Sequence, residues 1–281
     1  MEIVNKNKLY PDETTPLKEH FSGFTDVFIG LVPFFQSSSK ISKAQSSKEI
    51  LTLEQAQEKD ELFKNIETLN GVIYSTSEEY PEDQEIIETG KPIFWNQIIK
   101  NTEIKDFRDL NKALMTSIGA YHKKQRREDT LKILNDYTEK SNIWHPTEGT
   151  FGVFVKQQIY NTLNDQKINE IVVIDEHYED QRVLNLTNLN QSEFISKINF
   201  KDYYLYSKDK SILFSIGWDF FFFFISIDNS KIDEKKIESN FEGFWANELD
   251  SHLWTWKEGE IENLMNTKEL KKSWWNKIMN K

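Results

Sequence analysis

The sequence predicts an α+β domain: a mainly helical N-terminal half packed on a mostly antiparallel sheet formed by the C-terminal half. Three observations carry that expectation. In the first half Phe107, Leu110, Leu114, Ile118 and Tyr121 recur at spacings of three and four, the repeat of one helix face. The second half turns to short β-branched and aromatic runs, "EIVVIDEHYED", "QRVLNLTNL" and "DYYLYSKDKSILFSI". The third is "SIGWDFFFFFISIDN", whose five consecutive phenylalanines end at Phe224. Strand alternation puts Trp218, Phe220, Phe222 and Phe224 on one face and Phe221, Phe223, Ile225 and Ile227 on the other. Both faces are apolar, so both need cover, and the run is expected as an inner strand.

The elements follow in chain order. Residues 1–23 are polar and turn-rich and read as an extended surface arm. Phe24 to Gln36 contains Gly30 and Pro33, which predicts a broken strand or a short apolar helix. Residues 37–48 are a low-complexity Ser/Lys stretch, expected as an exposed loop. Helix formers then place Leu51, Leu62, Ile66 and Leu69 on one helix that Asn70-Gly71 ends. Gly90-Lys91-Pro92 divides the next segment into two short helices, the second carrying Phe94, Trp95, Ile98 and Ile99. The Phe107–Tyr121 stripe marks a longer helix that continues or restarts in "TLKILNDYTEK". "FGVFVKQQIYNTLNDQ" is expected to start extended and finish helical. Strands flank a brief helix in "QSEFISKI", and "SKDK" is the turn of a hairpin. A charged helix in "KIDEKKIES" follows the phenylalanine strand, "SHLWTW" alternates at strand spacing, and a short helix ends the chain. No internal repeat is present, so residues 1–281 are expected to form one domain.

Composition bounds the function. With 38% hydrophobic and 14% aromatic residues, 281 residues suffice for a sizeable core. A formal charge of −11 argues against nucleic-acid and anionic-membrane binding, which draw affinity from neutralised phosphates, and permits a basic protein partner. The apolar run around the phenylalanines is shorter than the roughly 20 residues a spanning helix needs and has Asp219 inside it, so no membrane anchor is expected. There is no cysteine, which removes disulfides, thiolate zinc sites and thiol nucleophiles. The N-terminus lacks the basic-then-apolar pattern of a secretory signal, and a cytoplasmic protein is expected.

Few residues present themselves for chemistry. "IWHPTEG" sets His145 and Glu148 three apart, a base with an orienting carboxylate or two metal ligands, although Pro146 and Gly149 favour a packed loop. "VVIDEHYED" gathers Asp175, Glu176, His177, Glu179 and Asp180 after an apolar run, where a sheet places metal-binding groups or simply a solvated acidic turn. The basic residues Lys123, Lys124, Arg126 and Arg127 lie beside Glu128 and Asp129 and read as a solvated helix face. Trp245, Trp254 and Trp256 either anchor an interface or clamp the terminus onto the core. No phosphate-cradling glycine loop, nucleophile elbow or kinase signature is present, and no motif calls for a cofactor.

Several segments together carry a resemblance: "HFSGFTDVFIGLVPFFQ", "PEDQEIIETGKPIFWNQII", "LNKALMTSIGAY", "WHPTEG", "GWDFFFFFIS" and "FEGFWANELDSHLWTW", in this order. From about His20 to Trp256 the chain resembles an uncharacterised family of low-GC Gram-positive bacteria, catalogued as domain of unknown function number twenty-seven eleven. The resemblance implies a bacterial, soluble, single-unit protein and supplies no activity and no functional residues. The expectation is a non-enzymatic protein-binding module, immunity- or antitoxin-like, with an acidic surface for a basic partner and Trp245, Trp254 and Trp256 at the interface. The rival is a metal-dependent hydrolase. It takes His145, Glu148 and His177 as catalytic candidates and Asp175, Glu176, His177 and Asp180 as metal candidates, and it requires the two loops to share one pocket.

Overall fold

The computed structural model describes residues 9–13, 15–37, 48–59, 64, 66, 73–76, 80–257 and 259–264. Its frame is a seven-stranded sheet in which every pairing is antiparallel. In chain order the elements are α1 (Leu17–His20), β1 (Asp26–Leu31), β2 (Phe34–Gln36), β3 (Lys48–Leu51), α2 (Leu53–Lys59) and β4 (Ile73–Thr76). Next come α3 (Asp83–Thr89), β5 (Lys91–Ile93), α4 (Trp95–Lys100), α5 (Phe107–Ser117), α6 (Glu128–Lys140) and α7 (Val153–Asp165). The second half adds β6 (Glu170–Asp175), β7 (Gln181–Asn185), α8 (Gln191–Lys197), β8 (Asp202–Ser207), β9 (Ile212–Ile216), β10 (Phe222–Ile227), α9 (Glu234–Asn240) and β11 (Gly243–Trp245). The large sheet runs β11-β1-β10-β9-β8-β6-β7, and β2–β5 and β3–β4 form two small sheets.

The phenylalanine run supplies β10, an inner strand between β1 and β9, as its two apolar faces require. On one face Phe223 meets Phe151 and Phe241 at ring separations of 5.8 and 5.7 Å, under the layer that holds α7 and α9. On the other face Phe224 meets Tyr10 and Phe21, and Phe222 meets Trp254. The second cover is therefore not a helical layer. It is the segment from Tyr10 through the one-turn α1 to Phe21, together with the stretch after β11.

That corrects the reading of residues 1–23 as a surface arm. Residues 1–8 lie outside the described residues, but Leu9, Leu17 and Phe21 are buried and α1 is tied to the C-terminal stretch by the Pro16–Ser251 bridge. The sheet also borrows β1 from the first half, the broken-strand alternative for Phe24–Gln36, with the chain turning at Val32-Pro33 into β2. Of the Ser/Lys loop, residues 38–47 lie outside the described residues, as do Leu62 and Leu69 of the helix expected after it.

Helix boundaries follow local chemistry. Asp106 caps α5 by accepting the Asp109 N–H at 2.9 Å, and Gly119, at φ 77°, stops it, so α6 is a restart. The loop between them holds Lys123, Lys124 and Arg126, so they do not sit on a helix face. Asn190 and Glu193 form a reciprocal capping box at the start of α8. The α7 segment is extended only as far as Gly152 and helical from Val153 onward, and "SHLWTW" is turn, not strand.

Candidate functional site

The β9–β10 connection departs most from the sequence expectation. Strand pairing begins only at Phe222, and Asp219 adopts a left-handed backbone with φ 63°. The reversal turns Trp218 out of the sheet, where it is 61% exposed, so it does not share the core face with Phe222 and Phe224. A non-glycine residue in that conformation stores strain, and such strain gathers at functional sites. Two more left-handed residues flank it, Gly149 at 65° and Tyr178 at 60°. The Gly149 N–H donates to the Phe220 carbonyl at 2.9 Å, tying the "WHPTEG" loop to this turn.

Between these loops lies a cleft of about 440 Å³. Glu148, Gly149 and Thr150 form one wall, and Asp175, Glu176, His177 and Glu179 another. Phe200, Lys201, Tyr203, Trp218 and Asp219 complete it. The turn after β6 is held by Asp175, whose Oδ1 accepts the N–H groups of Glu179 at 2.8 Å and Asp180 at 3.1 Å. The Glu176 N–H donates to the Lys201 carbonyl at 3.0 Å and closes the corner. Burial raises the Asp219 carboxyl above its ordinary value, partly offset by the neighbouring polar edge of the Trp218 indole. Burial, then the negative charges of Glu176 and Asp219, push the Tyr203 phenol up to about 12.

The two loops singled out in the sequence thus meet, but not through both histidines. Glu148 and His177 line the cleft. His145 is 2% exposed and turned into the core, its Nε2 3.0 Å from the Thr138 hydroxyl and its ring edge-on to Phe34. His177 is exposed, with Nε2 3.5 Å from the Glu176 carboxylate, and Asp180 faces Arg182 at 3.8 Å, outside the lining. Among the described residues no group of three or more His, Cys, Asp or Glu side chains is placed to hold a metal ion.

The C-terminal tryptophans lie elsewhere and act as clamps. Trp254 is 3% exposed between Phe222 and Phe244, so it is core and presents no surface to a partner. Half-buried Trp245 stands edge-on to Phe28 and donates its indole N–H to Glu238 at 2.8 Å. Trp256 packs on Tyr121, with the Lys112 ammonium 4.1 Å over its ring. Sequence reasoning missed Trp218, Tyr203 and Phe200. The available signal was Asp219, the one charge inside the apolar run.

A neighbouring hollow of about 510 Å³ shares Thr150 and Phe200 with the cleft and lies at the start of α7. Its buried cation, Lys156, is already paired with Asp83 at 3.3 Å.

Residues 13–256 match the profile of a family described as "Protein of unknown function (DUF2711)". The chain belongs to this family. A curated relative, "Uncharacterized protein YwbB" of Bacillus subtilis (strain 168), is 28% identical over 111 residues. That alignment covers 40% of this chain and 49% of the relative, so the chain spans about half the relative's length. No solved structure matches the chain. The DUF2711 match includes every lining residue of the cleft. No helix among the described residues is long and apolar enough to cross a membrane.

Proposed function

We propose that this protein works by binding, and that the acidic cleft beside Trp218 is where it meets a basic protein partner. The lining carries the reading: Glu148, Glu176, Glu179 and Asp219 bring carboxylates from three chain segments to one hollow. Its rim holds the exposed rings of Trp218 and Phe200. Rigid aromatics left in water offer contact area at little entropy cost, and clustered carboxylates steer a cationic partner. The formal charge of −11 adds long-range attraction. An immunity- or antitoxin-like role, one protein masking the basic surface of another, is the concrete version. A chain without cysteine suits the reducing cytoplasm.

The test is the affinity of a labelled oligo-arginine peptide, with oligo-glutamate as control, at low and high salt. Binding is expected for oligo-arginine alone, to weaken with salt, and to fall about tenfold or more in Glu148→Lys and Glu179→Lys. Affinity indifferent to both reversals would sink the reading.

A second reading, a metal-dependent hydrolase, has one observation in its favour: Glu148 and His177 line the same cleft. The inward His145 weighs against it. Stabilisation by zinc or manganese that Glu148→Ala and His177→Ala both abolish would move the balance to catalysis.

A further inference from the structure

We infer that the group this cleft recognises is a guanidinium, the side chain of an arginine presented by the partner protein; the inference rests on the binding role proposed above. The cleft holds one feature that acidity alone does not need. Tyr203 is only 6% exposed, yet it lines the cleft, and among the described residues its hydroxyl has no hydrogen-bond partner. A Cβ added to Gly149 would lie 3.5 Å from that hydroxyl, which places it against the 148–150 wall. The ring is buried while the hydroxyl end reaches the cleft, where solvent or a bound group must satisfy it. Here the open valence faces the hollow, among Glu148, Glu176 and Asp219.

Those acceptors sit on separate segments: Glu148 on one loop, Glu176 on the turn after β6, Tyr203 at the start of β8 and Asp219 before β10. An ammonium is a compact, strongly hydrated point charge. A guanidinium spreads five N–H donors over a plane, reaches acceptors set apart, and stacks on an aromatic face. Of the two exposed rings, Phe200 already has the Lys201 ammonium 5.6 Å over it, which leaves Trp218 as the stacking surface. The remaining basic group at the cleft, His177, is drawn to Glu176. The net balance of the lining stays acidic.

The experiment is displacement of labelled oligo-arginine by capped glycine-flanked peptides that carry one arginine, lysine or citrulline. The arginine peptide is expected to compete, lysine to be about tenfold or more weaker, and neutral citrulline to have no effect. Tyr203→Phe should weaken the arginine peptide about tenfold, the scale of one hydrogen bond to a charged group, without lowering the melting temperature, because that hydroxyl has no partner among the described residues. Trp218→Ala should weaken it similarly. Equal competition by lysine, or an unchanged Tyr203→Phe, overturns the guanidinium inference. So does failure of the arginine peptide while oligo-arginine still depends on Glu148. Free arginine competing as well as the peptide overturns the protein partner in favour of a small-molecule site. If oligo-arginine itself ignores the cleft reversals, the binding reading falls first.

Discussion

The hydroxyl of Tyr10 lies 2.9 Å from Nε2 of His252, a bond between residues 242 positions apart that joins the two segments covering one face of β10. The imidazole is 5% exposed and edge-on to Phe220, with ring centroids 4.4 Å apart, and among the described residues its Nδ1 has no hydrogen-bond partner. Burial depresses its pKa from 6.5 to about 4, with Asp12 opposing weakly.

Stability should therefore fall in acid partly through this ring. The folded pKa lies below the unfolded one, so between them the unfolded chain binds the extra proton. Stability from His252 is complete above pH 6.5 and is lost as pH falls toward 4. The full effect is about 3 kcal/mol. Denaturant unfolding across that window should show the decline in the wild type and a flatter profile in His252→Phe. The difference between the two curves isolates this group from the carboxylates, and parallel curves would refute the assignment.

Gly30 on β1 sits opposite Phe223 on β10, and a Cβ there would meet the Phe223 ring within 2.5–2.9 Å. Phe223 is fully buried and has nowhere to move. Gly30→Ala should destabilise by about 1–3 kcal/mol through overpacking. Gly23→Ala, with nothing within 4 Å of its added methyl, should be near neutral. Equal unfolding midpoints for the two would contradict the close approach.

Glu242 caps α4 from the strand side: its carboxylate accepts the N–H groups of Trp95 at 2.5 Å and Asn96 at 2.8 Å. Burial raises its pKa, and those two backbone donors pull it back. Glu242→Ala leaves the start of a six-residue helix without its acceptor and should cost about 1–2 kcal/mol. Thermal unfolding reads the loss, and rescue by Glu242→Asp should be partial at best because the side chain is shorter.

What the sequence displays and what it hides divides along physical lines. The phenylalanine strand from Phe222 onward, the "SKDK" hairpin and the break at Gly90 are local, set by alternation, turn chemistry and glycine, and they appear where expected. The burial of Leu9, Leu17 and Phe21 is not local. It depends on an uncovered sheet face formed by residues some two hundred positions later, which no window reveals. The cleft is partly visible: two polar loops stood out, yet their third wall is a left-handed turn at Asp219 inside an apolar run. Periodicity alone carried Trp218 into the core. The lone carboxylate beside it was the better guide, because a charge at the edge of an apolar strand calls for an opening.

Trp218 and Trp254 look alike in sequence, each in an aromatic run, but they should answer mutation in opposite ways. Trp254 fills the space between Phe222 and Phe244, and Trp254→Ala should cost about 3–5 kcal/mol from lost transfer energy and the cavity left behind. Trp218 is 61% exposed, and Trp218→Ala should leave the unfolding free energy within about 0.5 kcal/mol of wild type. Binding of an arginine peptide should show the reverse order once both variants are measured well below their melting temperatures. Trp254→Ala should bind nearly as wild type, because its indole does not line the cleft. A Trp218→Ala variant that loses stability but keeps affinity would place that ring in the core economy of the fold and take it out of recognition.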